Sequence, residues 1–197
     1  MPFRVERAGI PDVLLIRPTR FDDDRGFFME TYKKSEFRKF GIPEEFCQDN
    51  CSQSKKGVVR GLHYQLDPAA QGKLLRALAG KVWEVAVDIR RGSPTFGKWT
   101  GAYLSADEGT VMWIPVGFAA GVVALEDGSQ LAYKTTAEYS KLHERGILWS
   151  DPAIGIQWPG GFPHPVVSEK DQVHPPLARA EINFVYSASS QAGPGSP

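Results

Sequence analysis

The sequence lacks an excess of charge of either sign. Its 197 residues include 23 lysines and arginines and 23 aspartates and glutamates, which gives a formal net charge of zero. Proteins that bind nucleic acid or anionic membranes usually carry a broad positive surface, so we expect neither kind of partner. A helix that crosses a membrane needs about 18 consecutive apolar residues, and the sequence contains no such run.

Cysteine is also scarce. Cys47 and Cys51 are the two cysteines of the chain, which is too few for a disulfide scaffold. A zinc site would need two further ligands close to them, so we expect two unpaired thiols. The N-terminal stretch contains no apolar core of the kind found in signal peptides, and this predicts a cytoplasmic protein.

Length and composition favour one globular domain built from short strands. Hydrophobic residues make up 42% of the chain, and 20 glycines and 15 prolines interrupt it. We expect residues 1–186 to form a single domain, since one domain commonly spans about 100–200 residues. Residues 187–197 are small, polar and rich in glycine and proline, which predicts a flexible C-terminal tail.

Apolar and alternating runs at intervals of roughly 8–12 residues predict an all-β sandwich or barrel. Helices are expected to be few, with one at residues 33–40 and at most a single turn at 140–145. Four prolines exclude regular structure from residues 151–165. The predicted strands cover residues 13–17, 26–32, 58–65, 73–79, 80–90, 99–104, 110–114, 121–125, 130–136 and 181–186.

His63 stands out among the four histidines because it lies inside a predicted strand. If strands 58–65 and 73–79 form a hairpin about residue 69, His63 and Lys73 share one face of the sheet. A cation beside an imidazole is a plausible site pair. The same residue is also compatible with a half-exposed strand histidine that has no chemical role.

A metal centre at His63 is not expected. Small metal-binding β-barrels often use a His-x-His pair on one strand together with a carboxylate and a third histidine. The stretch His63-Tyr64-Gln65 provides only one imidazole, and Lys73 on the following strand would repel a metal ion.

Three other polar residues are candidates for chemistry. Asp171 could accept a hydrogen bond from His63 and fix its tautomer, although Ser168–Asp171 also fits an exposed charged turn. Tyr133 could deliver a proton or serve as an amphipathic core residue. By strand alternation Arg60 points away from His63, unless Gly61 introduces a bulge.

Taken together, eight segments make the sequence resemble the dTDP-4-dehydrorhamnose 3,5-epimerases from about Phe3 to about Tyr186. They occur in the family's order and at family-like spacing. The segments are RGFFME (25–30), QDNCS (48–52), RGLHYQ (60–65), QGKLLR (71–76), IPVGFA (114–119), YK (133–134), GILWSDP (146–152) and SEKD (168–171).

The resemblance implies a dimeric, metal-free, cupin-like double-sheet jelly roll. The expected substrate is a dTDP-linked 4-keto-6-deoxyhexose that is inverted at C3 and C5 without a cofactor. By similarity, His63 is the general base, Asp171 orients it and Tyr133 is the acid on the opposite face of the sugar. Lys73 is expected to face the C4 oxygen, where its charge would stabilise an enolate.

The resemblance also implies a set of substrate-binding residues. Basic side chains would bind the diphosphate, polar ones would contact the nucleotide or sugar, and an aromatic ring would stack on the thymine. The diphosphate ligands are Arg25, Arg60 and Lys170; the polar contacts are Glu30, Gln48, Asp49, Asn50 and Glu144; the stacking ring is Tyr139.

One departure from the family pattern concerns Ala120. Where the family commonly reads Gly-Phe-Ala-His-Gly-Phe, this chain has Ala120 in place of the histidine and Val122 in place of the second phenylalanine. The departure leaves open whether C3, C5 or both are inverted. Two alternatives therefore remain: an epimerase that acts at a single carbon, and a non-catalytic barrel that binds nucleotide sugars.

Overall fold

The computed structural model describes residues 2–42 and 45–187. Within these ranges it contains fourteen strands, two short α-helices and a 3-10 helix at Leu177–Arg179. The strands are β1 (Phe3–Arg7), β2 (Leu14–Pro18), β3 (Arg20–Asp23), β4 (Gly26–Met29), β5 (Gln48–Ser54), β6 (Val58–Gln65), β7 (Lys73–Ala79), β8 (Lys81–Asp88), β9 (Trp99–Ser105), β10 (Val111–Ile114), β11 (Phe118–Ala124), β12 (Ser129–Thr135), β13 (Glu144–Gly146) and β14 (Val166–Val167). The helices are α1 (Lys34–Lys39) and α2 (Glu169–Gln172).

Two sheets form the body of the fold. The first sheet has the strand order β1-β2-β10-β7-β12-β5, and the second has the order β13-β6-β11-β8-β9, with β14 pairing with β6. Strands β3 and β4 form a separate two-stranded hairpin. The predicted all-β double-sheet architecture is confirmed, and the first two strands lie at an edge of the first sheet.

Apolar side chains pack in three layers. The middle layer lies between the sheets and joins residues such as Leu75 and Leu131 of the first sheet to Ala86 and Ala120 of the second. Helix α1 covers the outer face of the first sheet through Phe37. The segment that follows β13 covers the outer face of the second sheet. With both outer faces covered, a cleft between the sheets is a protected place for polar groups.

Several sequence predictions of local structure are confirmed. The predicted strands 58–65 and 73–79 have the bounds of β6 and β7, and α1 lies within the predicted helix 33–40. Residues 151–165 contain no helix or strand, as their prolines required. Both cysteines are free and exposed. No helix in the described ranges is long and apolar enough to cross a membrane.

Two local predictions are wrong. β6 and β7 do not form a hairpin, because β7 pairs with β10 and β12 while β6 pairs with β11 and β13 in the other sheet. The predicted strand 181–186 is reduced to an isolated bridge between Arg91 and Val185. The single turn expected at residues 140–145 is present, by contrast: the Glu144 amide donates to the Ser140 carbonyl at 2.9 Å, and the chain then enters β13. The predicted tail lies outside the described residues, apart from Ser187.

Candidate active site

A cavity of about 540 Å³ opens between the two sheets. Lys73 of β7 and Tyr133 of β12 reach it from the first sheet, and His63 of β6 and Glu84 of β8 reach it from the second. The segment that runs from β14 into α2 closes one side and contributes Asp171. All four residues with predicted catalytic roles therefore line one space.

His63 and Asp171 form a close pair at the edge of this cavity. The His63 Nε2 atom lies 2.6 Å from Asp171 Oδ1, and the Gly61 amide donates to Asp171 Oδ2 at 3.2 Å. Burial alone would raise the pKa of Asp171, but the hydrogen bonds from His63 and Gly61 outweigh it and lower the pKa. An ionised Asp171 accepts the proton of Nε2, so Nδ1 is the imidazole nitrogen that is free to take up a proton.

Helix α2 explains how Asp171 reaches its partner. The Ser168 hydroxyl accepts a hydrogen bond from the Asp171 amide at 3.1 Å, which caps the start of the helix. Asp171 is buried, with only 3% of its surface exposed. The interpretation of Ser168–Asp171 as an exposed charged turn is therefore wrong for Asp171.

Lys73 lies beside His63 although the two belong to different sheets. The Lys73 Nζ atom donates to the His63 backbone carbonyl at 3.2 Å. The pKa of Lys73 is lowered, because burial of the ammonium group outweighs the opposing effect of the Glu84 and Glu144 carboxyls. The ammonium group thus contacts the second sheet across the cleft.

Glu84 is a polar residue of the cavity that the sequence reasoning did not assign. It is 2% exposed, and its Oε2 atom is buried without a hydrogen-bond partner in the described chain. Burial raises its pKa well above the usual value, with Lys73 opposing the shift. The one sequence signal for this residue is an acidic side chain in the middle of an otherwise apolar strand.

Tyr133 lines the cavity from β12, where it pairs with Asn50 of β5 and Leu75 of β7. Burial raises the pKa of its phenol, and the nearby Glu84 carboxyl raises it further. The phenol therefore holds its proton at neutral pH, as a general acid must.

Arg60 also faces the cavity, so the bulge that the sequence left open is present. The pairing of β6 with β11 shifts register between Ala120 and Val122, and Gly61 in the facing strand has a positive φ of 125°. The Arg60 guanidinium donates to the Ser54 hydroxyl and to the Gln53 carbonyl, each at 3.0 Å. The shift brings Arg60 to the same side of the strand as His63.

A smaller cavity of about 180 Å³ adjoins the first and shares His63, Lys73 and Tyr133 with it. Further predicted substrate contacts line this space and are joined by hydrogen bonds. These bonds are Gln48 Nε2 to Asn50 Oδ1 at 2.8 Å, Tyr139 Oη to Glu144 Oε2 at 2.9 Å, and Lys170 Nζ to Glu144 Oε1 at 2.6 Å.

The structure does not bring three of the predicted contacts to these cavities. Asp49 points to the other face of β5, where it pairs with Lys134 at 2.8 Å. Arg25 lies at the tip of the β3–β4 hairpin, is 89% exposed and binds Asp23 at 2.5 Å. Glu30, which follows this hairpin, lines neither cavity. Their roles as substrate contacts stay predictions.

His174 is a second unassigned residue near the pair. Its Nε2 atom lies 3.4 Å from Asp171 Oδ1, and its ring centroid is 5.8 Å from that of His63. One ligand atom each from His63, Asp171 and His174 lie within 4.8 Å of one another. The sequence signal was a histidine three residues after Asp171.

The model of the dTDP-4-dehydrorhamnose 3,5-epimerase family matches residues 7–179. The chain belongs to this family. The epimerase of Shigella flexneri is 54% identical over 168 residues, which cover 85% of this chain and 92% of that protein.

Solved structures of these epimerases share the fold. The enzyme of Legionella pneumophila in complex with dTDP-4-keto-L-rhamnose has a TM-score of 0.90 and 41% identity, over 94% of this chain and 100% of that one. ChmJ, a 3'-monoepimerase from Streptomyces bikiniensis in complex with dTDP-quinovose, has a TM-score of 0.82 and 30% identity, over 88% and 87% of the two chains.

Proposed function

We propose that this protein epimerises dTDP-4-dehydro-6-deoxy-D-glucose at C3 and C5 to dTDP-4-dehydro-L-rhamnose, in dTDP-L-rhamnose biosynthesis and without a cofactor. One observation carries the proposal: an aspartate-bound histidine and a protonated tyrosine come from opposite sheets and line one cavity. Inversion at a carbon requires a base on one side and an acid on the other. A cavity of about 540 Å³ falls within the usual size range of small-molecule sites.

In this proposal His63 removes the proton from a carbon next to the C4 ketone. A neutral imidazole is a weak base toward a C–H bond, so it can do so only if the resulting enolate is stabilised. The Lys73 ammonium supplies a fixed positive charge to the C4 oxygen, and such a charge acts strongly where water is excluded. The Lys73 contact with the His63 carbonyl keeps the charge close to the base.

Tyr133 then delivers a proton to the other face of the enolate. Its raised pKa, caused first by burial and then by Glu84, keeps the phenol protonated until the carbanion forms. The transfer forms the new C–H bond and leaves a phenolate, which regains a proton from solvent. The His63 imidazolium releases its proton to solvent, and the same sequence of steps at the second carbon completes the double inversion.

We assign the nucleotide part of the substrate to the polar and basic residues that line the two cavities. Arg60 lines the larger cavity and Lys170 stands at its edge, where the two cations suit a diphosphate. The polar residues Gln48, Asn50 and Glu144 of the smaller cavity supply donors and acceptors for the sugar or the nucleotide. Tyr139 is more than half exposed, which leaves its ring open for stacking on a base.

The proposal includes a homodimer in the cytoplasm. Phe21, Phe27 and Phe28 of the β3–β4 hairpin are 50–66% exposed, and such a cluster favours burial against another subunit. A second copy could also bring the Arg25 of this hairpin to a substrate site. Light scattering should give about twice the 21.7 kDa of one chain, and a monomer at micromolar concentration would contradict the dimer.

A single-carbon epimerase is the second candidate, and Ala120 favours it. This residue lies opposite His63 in the sheet and presents a methyl group to the cavity. Because a methyl group cannot donate a hydrogen bond, the two carbons that flank C4 need not react equally well.

Exchange with deuterated solvent separates the candidates. The protein is incubated with dTDP-4-dehydro-6-deoxy-D-glucose in D₂O, and the sugar protons are followed by NMR. Loss of signal at both C3 and C5 supports the 3,5-epimerase, and loss at one carbon supports the second candidate. No exchange at either carbon, in protein that still binds dTDP, would make the chain a non-catalytic binder.

A further inference from the structure

His174 has a buried imidazole nitrogen with nothing bound to it. The Nε2 atom has no solvent access and no hydrogen-bond partner within the described part of the chain. It lies 3.4 Å from Asp171 Oδ1, within ion-pair distance, but the contact does not have the geometry of a hydrogen bond. Buried polar atoms in folded proteins nearly always have a partner, so an unsatisfied nitrogen that faces a buried carboxylate points to a ligand.

The backbone around His174 is shaped to admit its ring. A Cβ atom at Gly146 would come within 2.3 Å of His174 Nε2, so only glycine fits at this position of β13. Gly146 is also the residue that pairs with His63 on β6. The two imidazole rings are therefore neighbours. They pack in a T-shaped arrangement, with an interplanar angle of 80°.

We propose that His63, Asp171 and His174 form a site for a divalent transition-metal ion that prefers imidazole, such as Zn²⁺, and that the bound ion blocks catalysis. Two imidazoles and one carboxylate are a common ligand set for zinc. Ligands of a tetrahedral zinc lie about 3.3 Å apart for bonds of about 2.0–2.1 Å. The separation of His174 Nε2 and Asp171 Oδ1 already has this value.

The other two separations need small adjustments. His63 Nε2 must move away from Asp171 Oδ1, from which it now lies 2.6 Å. The two imidazoles must also come closer together, since one ring nitrogen of His63 and one of His174 now lie within 4.8 Å of each other. The buried carboxylate stays fixed by the Gly61 amide on its other oxygen. The neighbouring Lys73 and Lys170 ammonium groups oppose a cation, so we expect weaker binding than in a structural zinc site.

Metal binding and base catalysis make opposite demands on His63. When His63 is ready to act as the base, its Nε2–H donates a hydrogen bond to Asp171 and its Nδ1 atom has the free lone pair. A metal at Nε2 takes the lone pair of that nitrogen, so the single ring proton must move through solvent from Nε2 to Nδ1. No nitrogen is then free to accept the substrate proton. Inhibition rests on the proposed function, whereas metal binding does not.

Calorimetric titration of the full chain with ZnCl₂ tests the site directly. The protein is first treated with EDTA and dialysed, and the wild type should bind one Zn²⁺ per chain. The variants H174Q and H174L keep the size of the side chain but remove the imidazole. Their affinity should fall by at least about tenfold to a hundredfold, the range already seen when only an outer-shell partner of a ligand is lost.

The variant H164Q is the matched control, because His164 is exposed and lies outside the three-residue cluster. Its zinc affinity should equal that of the wild type. Circular dichroism should establish that each variant is folded before titration. Absence of stoichiometric binding to the wild type, or equal affinity in the wild type and in folded H174Q and H174L, would overturn the site.

Deuterium exchange measures the inhibition. Zn²⁺ should stop exchange by the wild type and by H164Q, and EDTA should restore it. Each His174 variant should keep a larger fraction of its own metal-free rate at the same Zn²⁺ concentration. Binding without inhibition would overturn the second half of the proposal. If the metal-free wild type shows no exchange, the proposed function fails, while the calorimetric result still decides the site.

Discussion

The carboxylate of Asp171 holds the His63 imidazole at 2.6 Å with one oxygen and the backbone amide of Gly61 with the other. The Gly61 contact fixes the plane of the carboxylate, and the carboxylate in turn fixes the tautomer of the imidazole. Because Gly61 lies two residues before His63, the chain segment that carries the proposed base also orients the carboxylate that is proposed to activate it.

The variant D171N should therefore remain folded but lose most of its exchange activity. An amide side chain can donate to Nε2, which stabilises the wrong tautomer of His63. We expect the exchange rate to fall by about a hundredfold or more, since general acid–base catalysis typically contributes 10²–10⁴-fold. NMR in D₂O measures the rate.

A surface aspartate provides the control for this variant. Asp127 is exposed, accepts a hydrogen bond from the Lys56 amide at 2.9 Å and lines neither cavity, so D127N should exchange at the wild-type rate. A wild-type rate in D171N as well would remove Asp171 from its orienting role.

Replacement of His63 by alanine should abolish exchange at every carbon while leaving the affinity for dTDP largely intact. The base acts only on the sugar, whereas affinity comes mainly from the nucleotide and the diphosphate. Exchange is followed by NMR and dTDP binding by calorimetry. H164A is the matched control, since His164 is exposed. Substantial exchange by H63A would exclude His63 as the base.

The variant Y133F should separate the two halves of inversion. His63 can still remove a proton and return one from solvent to the same face, so deuterium should continue to enter the substrate. Reprotonation on the opposite face should fail, so the yield of inverted product should drop. NMR follows deuterium content and configuration in one sample. Normal inversion by Y133F would show that water or another group acts as the acid.

A histidine at position 120 should speed the slower of the two exchanges. Ala120 is buried and faces the cavity beside His63. A hydrogen bond to a charged partner contributes about 1.5–3 kcal/mol, which corresponds to about ten- to a hundredfold in rate. Separate exchange rates for C3 and C5 in A120H test this. If neither rate changes in a folded variant, the methyl group does not set the choice of carbon.

Asp88 should make the free energy of unfolding depend on pH in the acidic range. It is fully buried and accepts hydrogen bonds from Arg90, Ser93 and Thr95. Burial alone would raise the pKa of Asp88, but these bonds outweigh it and lower the pKa. The stabilisation is therefore complete above the unfolded pKa of about 3.9 and is lost as the pH falls through the lower folded value.

The variant D88N should be less stable at neutral pH, because Arg90 loses one of its two carboxylate partners. The loss should be smaller than the roughly 3–5 kcal/mol of a buried charge left unpaired, since Arg90 keeps its ion pair with Asp12 at 2.9 Å. Below about pH 3.9, the free energy of unfolding of D88N should also fall less steeply with decreasing pH than that of the wild type. Urea unfolding at a series of pH values measures both effects. Parallel curves for the two proteins would show that Asp88 does not carry this part of the acid sensitivity.

Local pattern predicted nine of the fourteen strands in the described ranges and missed β1, β3, β5, β13 and β14. β6 and β7 match their predicted bounds because their apolar runs end at clear breaks. The partner of each strand was not predictable in the same way. The hairpin of β6 and β7 failed because the connection between them crosses from one sheet to the other. His63 and Lys73 nevertheless meet, through a contact across the cleft instead of along one sheet.

Only those site residues that residue type or the family resemblance pointed to could be predicted from the sequence. Glu84 and His174 were not assigned from the sequence. What marks them is a buried polar atom without a hydrogen-bond partner in the described chain, and a sequence does not show this. Arg60 could be assigned to the cavity only once the register shift opposite Gly61 was known. Asp49, by contrast, follows simple alternation along β5, which turns it away from Gln48 and Asn50.

The division of the polar groups between two sheets has a consequence for partial unfolding. Each sheet holds its own strands through backbone hydrogen bonds, whereas Lys73 and Tyr133 face His63 and Glu84 only while the side chains between the sheets stay tightly packed. A swollen state that keeps its strands but loosens this packing would separate the proton donor from the acceptor. On mild heating or acidification, turnover should therefore vanish while the far-ultraviolet dichroism of the strands is still intact.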